Sequence, residues 1–289
     1  IVGKMPSLLK VVVVPYLNVA PDLSKIAQAV RWNDIAAVNP KKEPIFKRVR
    51  FDHPLFIMFS SGTTGVPKCI VHCHGGVLLQ HLKEHQLHSD VRPGDLVLID
   101  AGVEVDSLFT ADVTRTFPVS GTFTDAQREI YDAVYAAQEA GIAAVKPGNK
   151  FSDVHAAAIR VIAEHLHAWG LLPDGVSVED TLDKEHGQYH RRWMVHGTSH
   201  HLGLDVHDCA LATREEYMDA ELRPGMVLTV EPGLYFKSDD LLAPERFRGT
   251  GVRIEDDILV TQDGCENLSA GMPRSSADVE AWIARLRTS

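Results

Sequence analysis

Five side chains able to ligate a metal, Asp100, Asp112, His200, Glu231 and Glu255, are spread over about 155 residues. Each lies in, or at the end of, a short stretch that reads as a strand. Buried carboxylates are costly unless paired or liganded, so a chain that places four of them on apolar strands needs a fold in which they converge on cations. Four carboxylates and one imidazole make an oxygen-rich cage suited to two divalent ions, which together can activate one water. A mixed α+β fold, with strand ends from distant parts of the chain meeting at one point, is the expectation.

The first two ligands are local. Leu96–Asp100 reads as a buried strand ending in a carboxylate, and a second strand runs from Thr110 to Phe117. The twelve-residue spacing of Asp100 and Asp112 suits neighbouring strands of a hairpin. Thr124-Asp125-Ala126-Gln127 is a capping-box pattern that opens a helix to about Val145, closed by Pro147-Gly148. A second helix is predicted from Ser152 to Trp169, with Gly170 as its C-terminal cap. Their apolar residues recur at three and four, the pattern of helices covering a sheet. Residues 171–190 are irregular and acidic. His196, His200, His201 and His207 then fall within twelve residues, a dense cluster of ligands and proton carriers. Two further strands carry Glu231 and Glu255. In the second, alternation places Arg253 on the face of Glu255, where it can brace a ligand carboxylate.

The chain before about residue 95 has a different character. Residues 1–94 hold 12 Lys/Arg against 6 Asp/Glu, a net of +6, while residues 95–289 hold 17 against 33, a net of −16. The positive charge is mostly one run, Lys41, Lys42, Lys47, Arg48 and Arg50, without interleaved aromatics. It reads as a solvated linker, so no nucleic-acid partner is expected. Strands are predicted at Leu8–Tyr16 and Leu55–Phe59, with a short helix from Ser24 to Val30. After the second strand comes Ser60-Ser61-Gly62-Thr63-Thr64-Gly65-Val66-Pro67-Lys68, a phosphate-cradling composition of glycines, hydroxyls and one lysine, distinct from a Walker A loop. The four cysteines form no framework, and Cys69, His72, Cys73 and His74 lack a second cluster at zinc-finger spacing. Reduced thiols and no apolar run near the roughly 20 residues of a membrane helix make a cytoplasmic setting the expectation, with no membrane partner. The start at Ile1 reads as a fragment.

Two resemblances follow. The loop Ser60–Lys68, with His53–Phe56 before it and Gly75–His81 after it, resembles the adenylate-forming acyl-CoA synthetases, most closely the acetoacetyl-CoA synthetases. On that resemblance Ser60, Ser61, Gly62, Thr63, Thr64, Gly65 and Lys68 are a remnant phosphate site. The family's adenosine and magnesium elements have no counterpart downstream, so adenylation is not expected. The second resemblance, from about Gly94 to the C-terminus, is to the pita-bread metallopeptidases, and within them to the Xaa-Pro aminopeptidase (aminopeptidase P) group. It rests on the five ligands and on the phrases Asp112–Pro118, Gly203–Asp208 and Arg253–Asp257. It implies a pita-bread fold with two divalent ions, most often Mn2+. Asp100 would hold one ion, and His200 and Glu231 the other, with Asp112 and Glu255 bridging. His196 and His207 would line the substrate site, Glu231 would move protons and Arg253 would support the ligands. The implied substrates are peptides with proline at the second position, and homo-oligomers are possible.

The expected organisation is therefore a synthetase-like α/β fragment at 1–94 and a pita-bread catalytic domain at 95–289, incomplete at its N-terminal side. Val91-Arg92-Pro93-Gly94-Asp95 fits both segments and reads as the join of a chimera. The competing readings are an acyl-CoA synthetase fragment and an inactive chimeric product.

Overall fold

The computed structural model describes residues 2–14, 20–38, 47–59, 69–105, 107–208 and 213–288. It divides into two compact units, residues 1–75 and 76–289. In the first, β1 (Val11–Val13) pairs in parallel with β2 (Ala29–Arg31), and α1 (Trp32–Val38) follows. Residues 24–28 are turns rather than the predicted helix. Gln28 takes a left-handed φ of 63°, which stops a helix and turns the chain so that Ala29–Arg31 can join β1. β3 (Pro54–Phe59) and β4 (Cys69–Cys73) form an antiparallel pair. The phosphate-loop residues Ser60 to Lys68 fall outside the described residues. α2 (His74–Lys83) comes next in the chain.

The second unit carries the five candidate ligands. β5 (Leu96–Glu104) and β6 (Thr110–Pro118) form the expected hairpin, with Asp100 opposite Thr114 and Gly102 opposite Asp112. Side chains alternate along a strand, so Asp100, Asp112, Thr114 and Thr116 share one face. Within this unit and among the described residues β5 pairs with β6 alone, and Ile99 and Val103 are exposed.

α3 (Asp125–Ala144) starts at the predicted box: Thr124 accepts from Gln127 N, and the Gln127 side chain accepts from Thr124 N. α4 (Phe151–Ala168) ends before Gly170, whose φ of 68° reverses the chain at no Cβ cost. The two helices pack together through Ile130, Val134 and Ala137 against Ala158, Ile162 and Leu166. This core continues into Leu234 and Phe236 of β8 (Gly233–Phe236), Val252 of β9 (Thr250–Arg253) and Ile254. A second apolar cluster joins Val154 to Leu228 and Val230 of β7 (Val227–Val230) and to Ile258 and Val260 of β10 (Asp256–Val260). β10 lies between β7 and β11 (Cys265–Asn267). α5 (Val178–Leu182) and a 3-10 turn (Tyr189–Arg192) interrupt the stretch read as irregular, and α6 (Arg214–Asp219) and α7 (Ser276–Thr288) complete the unit. No described helix is long and apolar enough to cross a membrane.

Candidate metal centre

β7 and β10 set the geometry. They run antiparallel with Val230 opposite Asp256, and β8 and β9 with Gly233 opposite Arg253. The residues between these paired strands, Glu231 and Glu255, therefore face each other where the chain passes from one ladder to the next. Glu231 N donates to Thr198 O (2.7 Å) and Glu255 N to Thr114 O (3.1 Å), which ties both to the neighbouring segments. His200 is held on the edge of β7: Thr229 N donates to His200 O (2.9 Å), and His200 N donates to the Thr229 hydroxyl (3.1 Å).

All five residues come together. Donor atoms of Asp100, Asp112 and Glu255 lie within 4.8 Å of one another, as do those of His200, Glu231 and Glu255. Glu255 belongs to both groups. A third group joins Asp112 and His200 to His207, whose ring stands 4.5 Å from that of His200. Asp100 is the open member, its side chain 46% exposed, and it pairs with Arg253.

The proton arrangement shows what the cluster can hold. His200 Nδ1 donates to His201 O (3.2 Å), and burial lowers the basicity of the ring. Its Nε2 therefore carries a lone pair. That lone pair faces carboxylate oxygens of Asp112 and Glu231 at 3.5 Å and of Glu255 at 4.0 Å. An acceptor surrounded by acceptors is repulsive unless a cation or proton lies between them. The same burial shifts the carboxyls upward. Burial first, then the charge of Glu231, pushes the Glu255 carboxyl up to about 8. Burial carries Glu231 to about 7 against the opposing pull of Arg253. Asp112 is raised too, by burial and by Asp100. The donor set, four carboxylates and one unprotonated imidazole nitrogen, fits hard or borderline divalent cations.

Neighbouring groups fix these donors. The Thr114 hydroxyl, fully buried, donates to Glu255 Oε2 at 2.5 Å and accepts from Arg253 Nε at 3.1 Å. Arg253 thus touches Asp100 directly and Glu255 through Thr114. His196 Nδ1 donates to Gly197 O (2.7 Å) and lies 3.9 Å from Glu231; its Nε2 accepts from the Tyr235 hydroxyl (2.7 Å). Tyr235 also receives Arg253 NH1 at 3.4 Å. The phenol reaches them by crossing Gly233, where an added Cβ would meet its oxygen at 2.5 Å. Sequence reasoning named neither Thr114 nor Tyr235. Thr114 could have been found from strand alternation two residues after Asp112; Tyr235 needed the β8–β9 register.

A family model, Metallopeptidase family M24, matches residues 46–262, three quarters of the sequence. The chain belongs to metallopeptidase family M24. The match begins inside the segment that resembles the synthetases and takes in β3, β4 and α2. Xaa-Pro aminopeptidase 1 of Streptomyces coelicolor is 60% identical over 205 residues, which are 70% of this chain and 41% of that protein. Xaa-Pro aminopeptidase of Escherichia coli is 44% identical over 198 residues, 68% of this chain and 43% of the relative. The chain thus spans about two fifths of the length of the curated relatives it matches. Among solved structures, Pseudomonas aeruginosa aminopeptidase PepP superposes with a TM-score of 0.64 at 38% identity, over 69% of this chain and 43% of that one. Aminopeptidase P from E. coli with the inhibitor Pro-Leu gives 0.63 at 43% identity, with the same coverage. At these identities the likeness extends to the fold: the pita-bread metallopeptidase architecture expected from the sequence.

Proposed function

We propose that the chain carries a dinuclear metal site that hydrolyses the bond between an N-terminal residue and a following proline, with Mn2+ as the ion. The observation that carries this reading is His200 Nε2 facing three carboxylates within 4.0 Å. Peptide hydrolysis is the activity named for the relatives at 60% and 44% identity. Asp100 would hold one ion and His200 and Glu231 the other, with Asp112 and Glu255 shared. When bound, the ions supply Lewis acidity and lower the pKa of water. The protein's own groups do the rest. Glu231 is the carboxylate placed to take and return a proton. Arg253 and Thr114 keep Asp100 and Glu255 in place. His196 and His207 flank the cluster from two sides, where they can hydrogen-bond the substrate carbonyl and the oxyanion that replaces it. The catalytic part is residues 95–289, which contain every one of these groups. The thiols of Cys69 and Cys265, not joined in a disulfide, support a reducing, cytosolic setting.

The test is release of the N-terminal amino acid from an Xaa-Pro-Xaa peptide by the purified chain, with manganese and with chelator. Manganese-dependent release, abolished in Asp112→Asn, is expected. A folded sample that releases nothing, or releases equally in chelator, refutes the reading.

A further inference from the structure

Beside the carboxylate cluster, and sharing His196 with it, lies a cavity of about 1150 Å3 between α4, the 182–191 segment, the 194–199 loop and the end of α6. This is slightly larger than most small-molecule sites. Its apolar lining includes Phe151, Met194 and Tyr217. His155 and His190 also line it, their rings 6.3 Å apart. His190 is 4% exposed, yet its Nδ1 has no hydrogen-bond partner, and neither has the buried hydroxyl of Ser199 on the same lining. Buried polar atoms left in this state are costly, and a ligand with amide groups would satisfy them.

The charges around this space have a direction. On one side of His196 stand the acidic cluster residues, with Glu231 3.9 Å from its ring. On the cavity side, Lys184 and Arg191 are exposed on the 182–191 segment, and the field of both reaches His155. Arg160 on the same lining is neutralised by Glu179 at 2.6 Å, and Asp219 by Lys150 at 3.2 Å. Lys184 and Arg191 are left as the net charge of the lining. A peptide is a dipole of matching sense: its ammonium end suits the carboxylates, and its carboxylate end suits the two cations.

We propose that this cavity receives the part of a peptide downstream of its proline, and that Lys184 and Arg191 hold its free C-terminal carboxylate. The proposal rests on the aminopeptidase reading above and adds a preference: short peptides with a free C-terminus bind better than their amides. Backbone amides of the bound peptide would pair with His190 Nδ1 and the Ser199 hydroxyl.

The experiment is calorimetric titration of the full chain, in manganese buffer, with Pro-Leu and Pro-Leu-Gly, each as free acid and as C-terminal amide. A solvent-screened carboxylate held by two cations is worth about fivefold in affinity. For at least one length the acid is expected to bind about fivefold more tightly than its amide, and Lys184→Glu with Arg191→Glu should erase that difference. Both positions are exposed, so the doubly substituted chain should fold. Acids and amides that bind alike, a difference that survives the double substitution, or no binding of any probe overturns the proposal. Hydrolysis of Ala-Pro-Leu, followed separately, keeps the two readings apart. An intact acid preference without hydrolysis sinks the activity, and hydrolysis without that preference sinks the cavity assignment.

Discussion

Arg115 and Asp256 form an ion pair at 2.7 Å with side chains 2% and 0% exposed, and substituting either one tests how the metal centre is held. The Arg115 guanidinium also donates to Glu255 O (2.6 Å), Thr114 O (2.9 Å) and Pro273 O (2.9 Å). It therefore fixes the backbone behind two site residues. Asp256 has further partners in Gln138 at 3.0 Å and Arg274 at 3.5 Å. Removing one member of a buried pair costs about 3–5 kcal/mol, because the other charge is left in a medium that cannot solvate it. Arg274 offsets part of this for Arg115→Met, which places that variant near 3 kcal/mol. At about 2–4 °C per kcal/mol for a unit of this size, Tm should fall by roughly 6–12 °C. Asp256→Leu strands the guanidinium and should cost at least as much. Arg115→Met with Asp256→Leu removes both charges and should be no worse than either single change, a coupling of about 3 kcal/mol or more. Calorimetry at one fixed manganese concentration measures all four proteins, since bound metal itself raises Tm. Single losses under about 1 kcal/mol, or simple additivity, would refute the view that this pair is a clamp. The manganese-induced rise in Tm should shrink in Arg115→Met, because Glu255 loses its backbone anchor.

Other consequences follow from the same contacts. Thr114→Val removes the hydroxyl between Glu255 and Arg253 and should weaken manganese affinity about 10–100-fold; calorimetric affinity equal to that of the parent chain would show that Thr114 orients nothing. Burial depresses the basicity of His155 and His190 to about 4. The unfolded chain therefore binds more protons than the folded one between about pH 6.5 and 4. Each imidazole contributes on the order of 3 kcal/mol that is complete above pH 6.5 and is lost as pH falls towards 4. Denaturation in manganese-saturated buffer at pH 7.5 and 5 should show this, with a flatter response in His155→Gln; equal stability at both pH values contradicts it. Asp240 accepts from Arg192 at 2.7 Å and from Trp193 Nε1 at 3.0 Å, and Arg192 first of all holds its carboxyl down at about 2. Its contribution, about 1 kcal/mol after screening by solvent at the half-exposed arginine, is present above pH 4 and lost as pH falls through 2. Asp240→Asn should remove that acid-limb slope and no more.

The parts of this fold that could be read from the sequence are those set by neighbours in the chain. The twelve residues between Asp100 and Asp112 predict a hairpin because a short connection leaves few other geometries, and the Thr124–Gln127 box predicts a helix start because its two hydrogen bonds are local. The Ser24–Val30 helix failed where a distant partner decided: pairing with β1 outweighed a weak local preference. Tyr235, His155 and the Thr198 carbonyl stayed hidden for the same reason, since each acts on a residue about 30 or more positions away.

The stretch Asp112–Pro118 shows why the site and the scaffold cannot be read apart. On one face of β6, Asp112 and Thr114 turn to the metal cluster; on the other, Arg115 turns inward to Asp256. The partner segment repeats the arrangement, with Glu255 in the cluster and Asp256, the next residue, in the buried pair. A shift of one residue in the β7–β10 register would exchange these roles, directing Asp256 to the cations and Glu255 to the guanidinium. In the register present, Val230 lies opposite Asp256, and the buried pair and the cluster form together. The cost of leaving Arg115 unpaired therefore penalises that one-residue slip, in which Glu255 would miss the cluster, so the same ladder that folds the unit also helps select the geometry of its site.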